Sequence, residues 1–169
     1  MPRMFDHKVF FSLGSNIGNR LMSLSAALDR LCSCGVAITA KSRIWETAPW
    51  GVTDQPRFLN ICAEARTDLA PDALLALVKD IELALGRTVS RRWGPRKIDI
   101  DIIFYDSLIY ESTALTIPHP RMHERGFVLL PLSEIAPSYV HPRLGLSVAE
   151  LVEKIPQGEK DEMVWVSEI

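Results

Sequence analysis

Asp99 and Asp101 stand two positions apart in the run Ile98-Asp99-Ile100-Asp101-Ile102-Ile103. On a strand, alternate side chains share a face, so the two carboxylates project together with backbones roughly 6.6 Å apart. Burial of Ile98, Ile100 and Ile102 on the other face fixes the register, and the aspartates cannot turn away from each other. Aspartate is also a poor strand former, and two in one strand make a local inconsistency of the kind that marks function. A hard divalent cation, completed by phosphate oxygens and water, would relieve the repulsion. The alternative is the solvated face of a half-exposed strand.

Arg87, Arg91, Arg92, Arg96 and Lys97 lie just upstream, and guanidinium forks match phosphate oxygens. Carboxylates for metal beside cations for phosphate are the parts of a phosphoryl-transfer site, where catalysis is positioning and charge neutralisation. A solvated basic loop or a short RNA contact are the competing readings. Two weaker groups accompany them. Phe58 and Asn60 share one strand face, a flat surface beside an amide that suits a planar heterocycle or plain core packing. His119, held between Pro118 and Pro120, is expected to be exposed, and with Arg121 and Arg125 it can donate to phosphate or ribose oxygens. Glu82, on an apolar helical stripe, is explained by an ion pair with Arg87. The turn Gly14-Ser15-Asn16-Ile17-Gly18 lacks the Gly-Lys-Ser/Thr ending of a phosphate loop and reads as a structural turn.

The elements that must position these groups follow from periodicity. Lys8 to Leu13 reads as a strand; Leu21, Leu24, Leu28 and Leu31 form a helical stripe capped by Asn19 and stopped by Gly35. An extended stretch over 36–44 and an irregular one over 45–57 precede a strand from Phe58 to Glu64. Leu74, Val78, Ile81 and Leu85 mark a second helix begun at Pro71 and ended by Gly86. The strand Ile98 to Tyr105 completes β-α-β-β-α-β, the ferredoxin-like α+β order, with helices on one face of a mainly antiparallel sheet. Short strands near Leu108 to Tyr110, a helix from Phe127 to Ile135 interrupted by Pro131, a helix from Val148 to Lys154 and a late edge strand at Met163 to Val166 are expected beyond it.

Bulk properties narrow the class. The 169 residues carry 47% hydrophobic and 24% charged side chains, which suits one globular domain over 1–169. A net charge of -2 gives no general attraction to nucleic acid or anionic membrane. Three cysteines make no secreted disulfide framework, and no apolar run suits export or a bilayer, so a cytoplasmic protein, expected to be a monomer, is predicted.

Together, Leu13 to Asn16, Thr47-Ala48-Pro49-Trp50-Gly51, Asp54 to Asn60, Arg92 to Ile103 and Pro118 to Phe127 make the sequence resemble the 6-hydroxymethyl-7,8-dihydropterin pyrophosphokinases. That resemblance implies transfer of the β,γ-pyrophosphoryl unit of ATP to a pterin hydroxymethyl group, with AMP as the other product. It implies Asp99 and Asp101 as ligands of two magnesium ions, Arg87 and Arg96 as phosphate-steadying groups, and Glu82, Arg91, Arg92, Ile102, His119 and Arg125 as nucleotide-side positions. Phe58 and Phe127 would sandwich the pterin, Asn60 and the segment Thr47, Ala48, Pro49, Trp50 would read its edge, and Trp93 would close over it. Pro120 and Trp50 depart from the family pattern, as does a short 88–92 loop. A non-catalytic nucleotide- or pterin-sensing module remains the alternative reading.

Overall fold

The computed structural model describes residues 5–87 and 92–169. Its centre is β1 (His7–Ser15), flanked antiparallel by β5 (Asp99–Tyr105) on one side and by β4 (Phe58–Thr67) on the other. The far edge of β4 is shared by β2 (Val36–Lys41) and β3 (Ile44–Thr47), and β8 (Val164–Ser167) extends the sheet beyond β3. This is the expected ferredoxin-like core with one added edge strand, as foreseen at Met163 to Val166. The extended stretch ends earlier than expected, and β3 occupies the start of the region read as irregular. The chain breaks between β2 and β3 because Ser42 pairs with Cys62 through its hydroxyl: its N donates to the Cys62 carbonyl at 2.9 Å while its Oγ accepts from Cys62 N at 2.9 Å.

Alternation along β1 builds both layers. Val9, Phe11 and Leu13 point into a core closed by α1 (Arg20–Ser33) and α2 (Pro71–Ala84). Asn19 caps α1 by accepting from Met22 N at 3.0 Å, and Gly35 follows it at φ 86°. The buried stripe of α1 runs through Leu24, Ala27, Leu28 and Leu31, whereas Leu21 stays exposed at the first turn. On β5, Ile100 and Ile102, together with the preceding Ile98, enter the same core.

Helices cover both faces, contrary to the one-sided expectation. Phe10, Cys62, Ile103 and Phe104 form a second apolar layer that α3 (Gly126–Ile135) and α4 (Val148–Glu153) seal. Its source is a register shift opposite Phe10 and Phe11, which leaves Ile103 unpaired, so that Ile103 and Phe104 both join this layer. Each large apolar side chain so buried contributes about 1.5–3 kcal/mol, which outweighs an exposed rear face. Pro131 lies inside α3 without ending it. The short strands β6 (Tyr110–Glu111) and β7 (Thr116–Ile117) form a separate hairpin, and a five-residue helix, α5 (Gln157–Asp161), was not foreseen. Among the described residues no helix is long and apolar enough to cross a membrane.

The second layer covers only part of its face. Toward one end of the sheet, Gly14 lies opposite Asp99 on β5 and Asn60 on β4, and Ser12 lies opposite Asp101 and Cys62. The acidic pair and the Asn60 amide therefore occupy one face, two strand spacings or about 10 Å apart.

Candidate active site

A cavity of about 300 Å³ opens on that face. Ser12, Gly14, Asp99 and Asp101 line it from the sheet, and Thr47, Ala48, Trp50, Phe58 and Asn60 from β3, β4 and the connection between them. Arg92, Trp93, Gly94 and Arg96 contribute from the loop before β5, with His119, Arg125 and Phe127 from the approach to α3.

The acidic half is charged unevenly. Asp99 Oδ1 is 3.1 Å from Arg96 Nη1 and 3.2 Å from Arg87 Nη1. Among the described residues, Asp101 has only Arg125 Nη1, at 3.9 Å. Burial first, and the neighbouring Asp99 charge second, push the Asp101 carboxyl up to about 7. Arg125 is itself lowered, chiefly by burial, and its Nε is buried without a hydrogen-bond partner among the described residues. Such a donor is costly to leave unsatisfied unless an incoming acceptor meets it.

His119 is drawn in rather than exposed. Its backbone N donates to Ile103 O at 3.0 Å, anchoring the loop along β5. Burial and then Arg125 lower the imidazole to about 4, so it is neutral at physiological pH. Nδ1 accepts from Arg121 N at 3.2 Å, which leaves the proton on Nε2 as a donor.

The apolar half has one fixed polar edge. Asn60 is buried, and its Nδ2 donates to Thr47 Oγ1 at 2.7 Å. Phe58 and Phe127 contribute ring surface to the same cavity. Trp50 and Trp93 meet edge to face, with ring centroids 5.6 Å apart at 79°. The guanidinium of Arg92 lies 4.6 Å from the Trp93 centroid, and those of Arg121 and Arg125 lie 5.3 Å from Trp93 and 5.0 Å from Trp50. These are cation–π distances, in which arginines rest on aromatic faces.

Several predicted residues stand elsewhere. Glu82 is 1% exposed and does not line the cavity. Its Oε1 accepts from Ile100 N at 2.8 Å, while Oε2 pairs with Arg87 and, at 3.4 Å, with Lys79. It thus clamps α2 to β5 and orients Arg87, which reaches the cavity only through Asp99. The Ile102 side chain faces the α1/α2 core, and Pro49 faces a smaller adjoining cavity with Glu159 and Glu162. Arg91, with the rest of 88–91, lies outside the described residues.

Sequence reasoning missed Ser12, Gly14 and Gly94 in the lining, and the importance of Asn16 and Gln55 behind it. The Gly14-Ser15-Asn16 turn was read as merely structural, yet a Cβ on Gly14 would stand 2.7 Å from Asn60 Oδ1. Strand pairing, rather than sequence proximity, carries that signal.

The acidic pair fits a magnesium site. Asp99 and Asp101 share one face, and among the described residues no group of three or more His, Cys, Asp or Glu side chains could hold a metal. Two carboxylates with room for phosphate and water suit magnesium, which rarely takes an all-protein cage. The unmatched repulsion at Asp101 and the orphaned Arg125 Nε fit a cation and an anion arriving together.

Comparisons with known proteins converge on one family. The model of the family 7,8-dihydro-6-hydroxymethylpterin-pyrophosphokinase (HPPK) matches residues 10–137. A 2-amino-4-hydroxy-6-hydroxymethyldihydropteridine pyrophosphokinase of Methylorubrum extorquens is 42% identical over 153 residues, covering 89% of this chain and 96% of its own length. A mitochondrial folate synthesis bifunctional protein of Pisum sativum is 48% identical over 130 residues, covering 77% of this chain but only 25% of its own. The chain therefore spans about a quarter of that plant relative. A Plasmodium falciparum HPPK-DHPS crystal structure with pterin and p-hydroxybenzoate shares the fold at a TM-score of 0.73 and 17% identity, over 94% of this chain and 46% of that one. With the family model spanning most of the sheet and a relative of nearly equal length at this identity, the chain belongs to the 7,8-dihydro-6-hydroxymethylpterin-pyrophosphokinase family.

Proposed function

We propose that this chain transfers the β,γ-pyrophosphoryl group of ATP to the hydroxymethyl oxygen of 6-hydroxymethyl-7,8-dihydropterin, giving AMP and the pterin diphosphate in folate biosynthesis. The observation that carries the reading is the cavity itself. Paired carboxylates and guanidiniums occupy one side, and an aromatic slot with a buried amide occupies the other, about 10 Å away across Gly14. Membership of the family opposes a non-catalytic sensing module.

The residues divide the work by chemistry. Phe58 and Phe127 offer ring faces for the pterin, and the Asn60 amide, with Thr47 and the 47–50 backbone, reads its edge. Asp99 and Asp101 would hold magnesium, two ions in this reading. The bound metal supplies charge neutralisation of the phosphates and acidifies the attacking hydroxyl. Arg87 and Arg96 lie against Asp99 before nucleotide arrives, so they are placed to steady the phosphates without a large search. Arg125 presents its unsatisfied Nε, and His119 donates from neutral Nε2 to phosphate or ribose. Arg92, resting on the Trp93 ring at the cavity lining, would close with it over the bound substrates.

In the reaction the hydroxymethyl oxygen bonds to the β-phosphorus, while the bond from that phosphorus to the oxygen shared with the α-phosphorus breaks. AMP takes the bond electrons, and the hydroxyl proton leaves. Catalysis consists of aligning the two ends and stabilising equatorial phosphate charge. Incubation with magnesium ATP and the pterin, followed by phosphorus NMR of the products, tests this directly. AMP in step with pterin diphosphate is expected; ADP, or no product from folded protein, overturns it.

A further inference from the structure

We infer that Glu159 is a positioning residue for the pterin: its carboxylate caps α3 from a distant part of the chain and so sets the direction of Phe127. The family model matches residues 10–137, so Glu159 and α5 lie beyond the matched segment. The inference rests on the activity proposed above, which gives Phe127 a ring face against the pterin.

By itself α3 begins poorly. Arg125 at its N-cap makes no side-chain capping bond, and the first helical residue, Gly126, brings the low helix propensity of glycine. Pro131 stands inside the helix and has no N–H to donate to the Phe127 carbonyl four residues earlier. Arg125 is better held: its N donates to Met122 O at 3.2 Å, and its carbonyl accepts from Val128 N at 3.1 Å and Leu129 N at 3.0 Å. The weak point of the first turn is therefore Phe127, the residue that must present a ring.

Glu159 supplies what the local sequence lacks. Its Oε1 accepts from Gly126 N at 3.0 Å, which places a carboxylate where helix N–H groups are otherwise unsatisfied and the partial charge favours an anion. Gly126 makes this approach possible, since a Cβ there would stand 2.8 Å from Glu159 Oε1 and 3.3 Å from Ile155 Cγ2. The carboxylate also stands on a fixed base. Ile155 is buried in the layer under α3 and α4, and Glu159 N donates to Pro156 O at 3.1 Å. Just past α5, Glu162 O accepts from Arg57 Nη2 at 2.8 Å before β8 joins β3. Phe127 lines both the main cavity and the smaller one of about 190 Å³ that Glu159 also lines. With open space on two sides, the direction of its ring depends on the backbone turn that Glu159 caps.

The test is steady-state kinetics on the full chain, with AMP followed at saturating magnesium ATP and varied pterin. Calorimetry of the pterin in the presence of magnesium α,β-methylene-ATP accompanies it. Loss of a helix cap in Glu159→Ala should raise the pterin KM and Kd about five- to tenfold. Its kcat and its KM for ATP should stay within about twofold of wild type, because the Arg125 backbone keeps its own bonds. Glu159→Gln keeps an acceptor for Gly126 N and should restore the pterin KM to within about twofold of wild type. If Glu159→Ala fails to fold, Glu159→Met, which keeps the side-chain volume without an acceptor, decides. An unchanged pterin KM in the folded variant, kcat and both KM values moving together, or Glu159→Gln as impaired as Glu159→Ala overturns the inference. Wild-type protein that binds the pterin but forms no AMP overturns the proposed activity instead, and the calorimetric comparison then decides the role of Glu159.

Discussion

Gly14→Ala adds one methyl group at the point where the sheet separates the acidic half of the cavity from the aromatic half. Built on the present backbone, the new Cβ stands 2.7 Å from Asn60 Oδ1, and its next neighbours are Phe58 Cδ1 at 3.5 Å and Asn60 Cγ at 3.8 Å. Carbon and oxygen rest about 3.3 Å apart even in close attractive contacts, so Asn60 must retreat by about 0.6 Å. Asn60 is buried and tethered to Thr47 at 2.7 Å, and cannot retreat without stretching that bond. A buried polar pair so disturbed costs about 1–3 kcal/mol, roughly 5- to 150-fold in pterin affinity. The three nearest atoms all belong to Asn60 and Phe58, so affinity for magnesium α,β-methylene-ATP alone should be unchanged. Calorimetry with each ligand separately measures both. Unchanged pterin binding, or equal loss for both ligands, would refute the assignment of Asn60 to the pterin edge.

Further consequences concern the charged groups. The Asp101 carboxyl rises from 3.8 to about 7, so metal-free folded protein holds a proton there that the unfolded chain releases near pH 4. Its stabilising contribution is therefore complete below about pH 4 and is lost as pH rises to about 7. Urea titrations should show that loss in the wild type and little of it in Asp101→Asn, which should also be inactive; matching pH profiles would contradict the shift. Magnesium with nucleotide should raise Tm more at pH 8 than at pH 5.5 in the wild type, because binding at the lower pH must displace that proton. Glu82→Gln removes the charge that holds Arg87. Arg87 keeps 22% of its side chain exposed, so the loss should be about 2–3 kcal/mol, below the ~3–5 of a sealed pair. Thermal unfolding should shift by about 5–10 °C; an unchanged Tm with weakened nucleotide binding would instead make Glu82 a direct nucleotide contact.

Much of this arrangement is legible in the chain because period-two alternation dictates it. Asp99 and Asp101 on one face and Ile98, Ile100 and Ile102 on the other follow from pleating alone, and the structure agrees. The second helical layer was harder to see: Ile103 and Phe104 share a face only because of a register shift between strands distant in sequence. Asn16 and Gln55 are 39 positions apart, and nothing local in either segment announces their contact. His119 looked exposed because flanking prolines extend the loop, yet one hydrogen bond to Ile103 carries it inward. Glu82 was correctly matched to Arg87 by spacing, whereas its bond to the Ile100 backbone depends on the packing of α2 against β5.

The central claim, that Asp99 and Asp101 hold the cation serving the phosphates, is tested most directly by anomalous diffraction from crystals grown with manganese, α,β-methylene-ATP and the pterin. Manganese density bonded to both carboxylates and to phosphate oxygens, at about the 2.0–2.1 Å of a hard octahedral ion or slightly longer, with the hydroxymethyl group facing the β-phosphorus, is the predicted result. Nucleotide bound with Asp99 and Asp101 still paired to arginines and the metal elsewhere would contradict it.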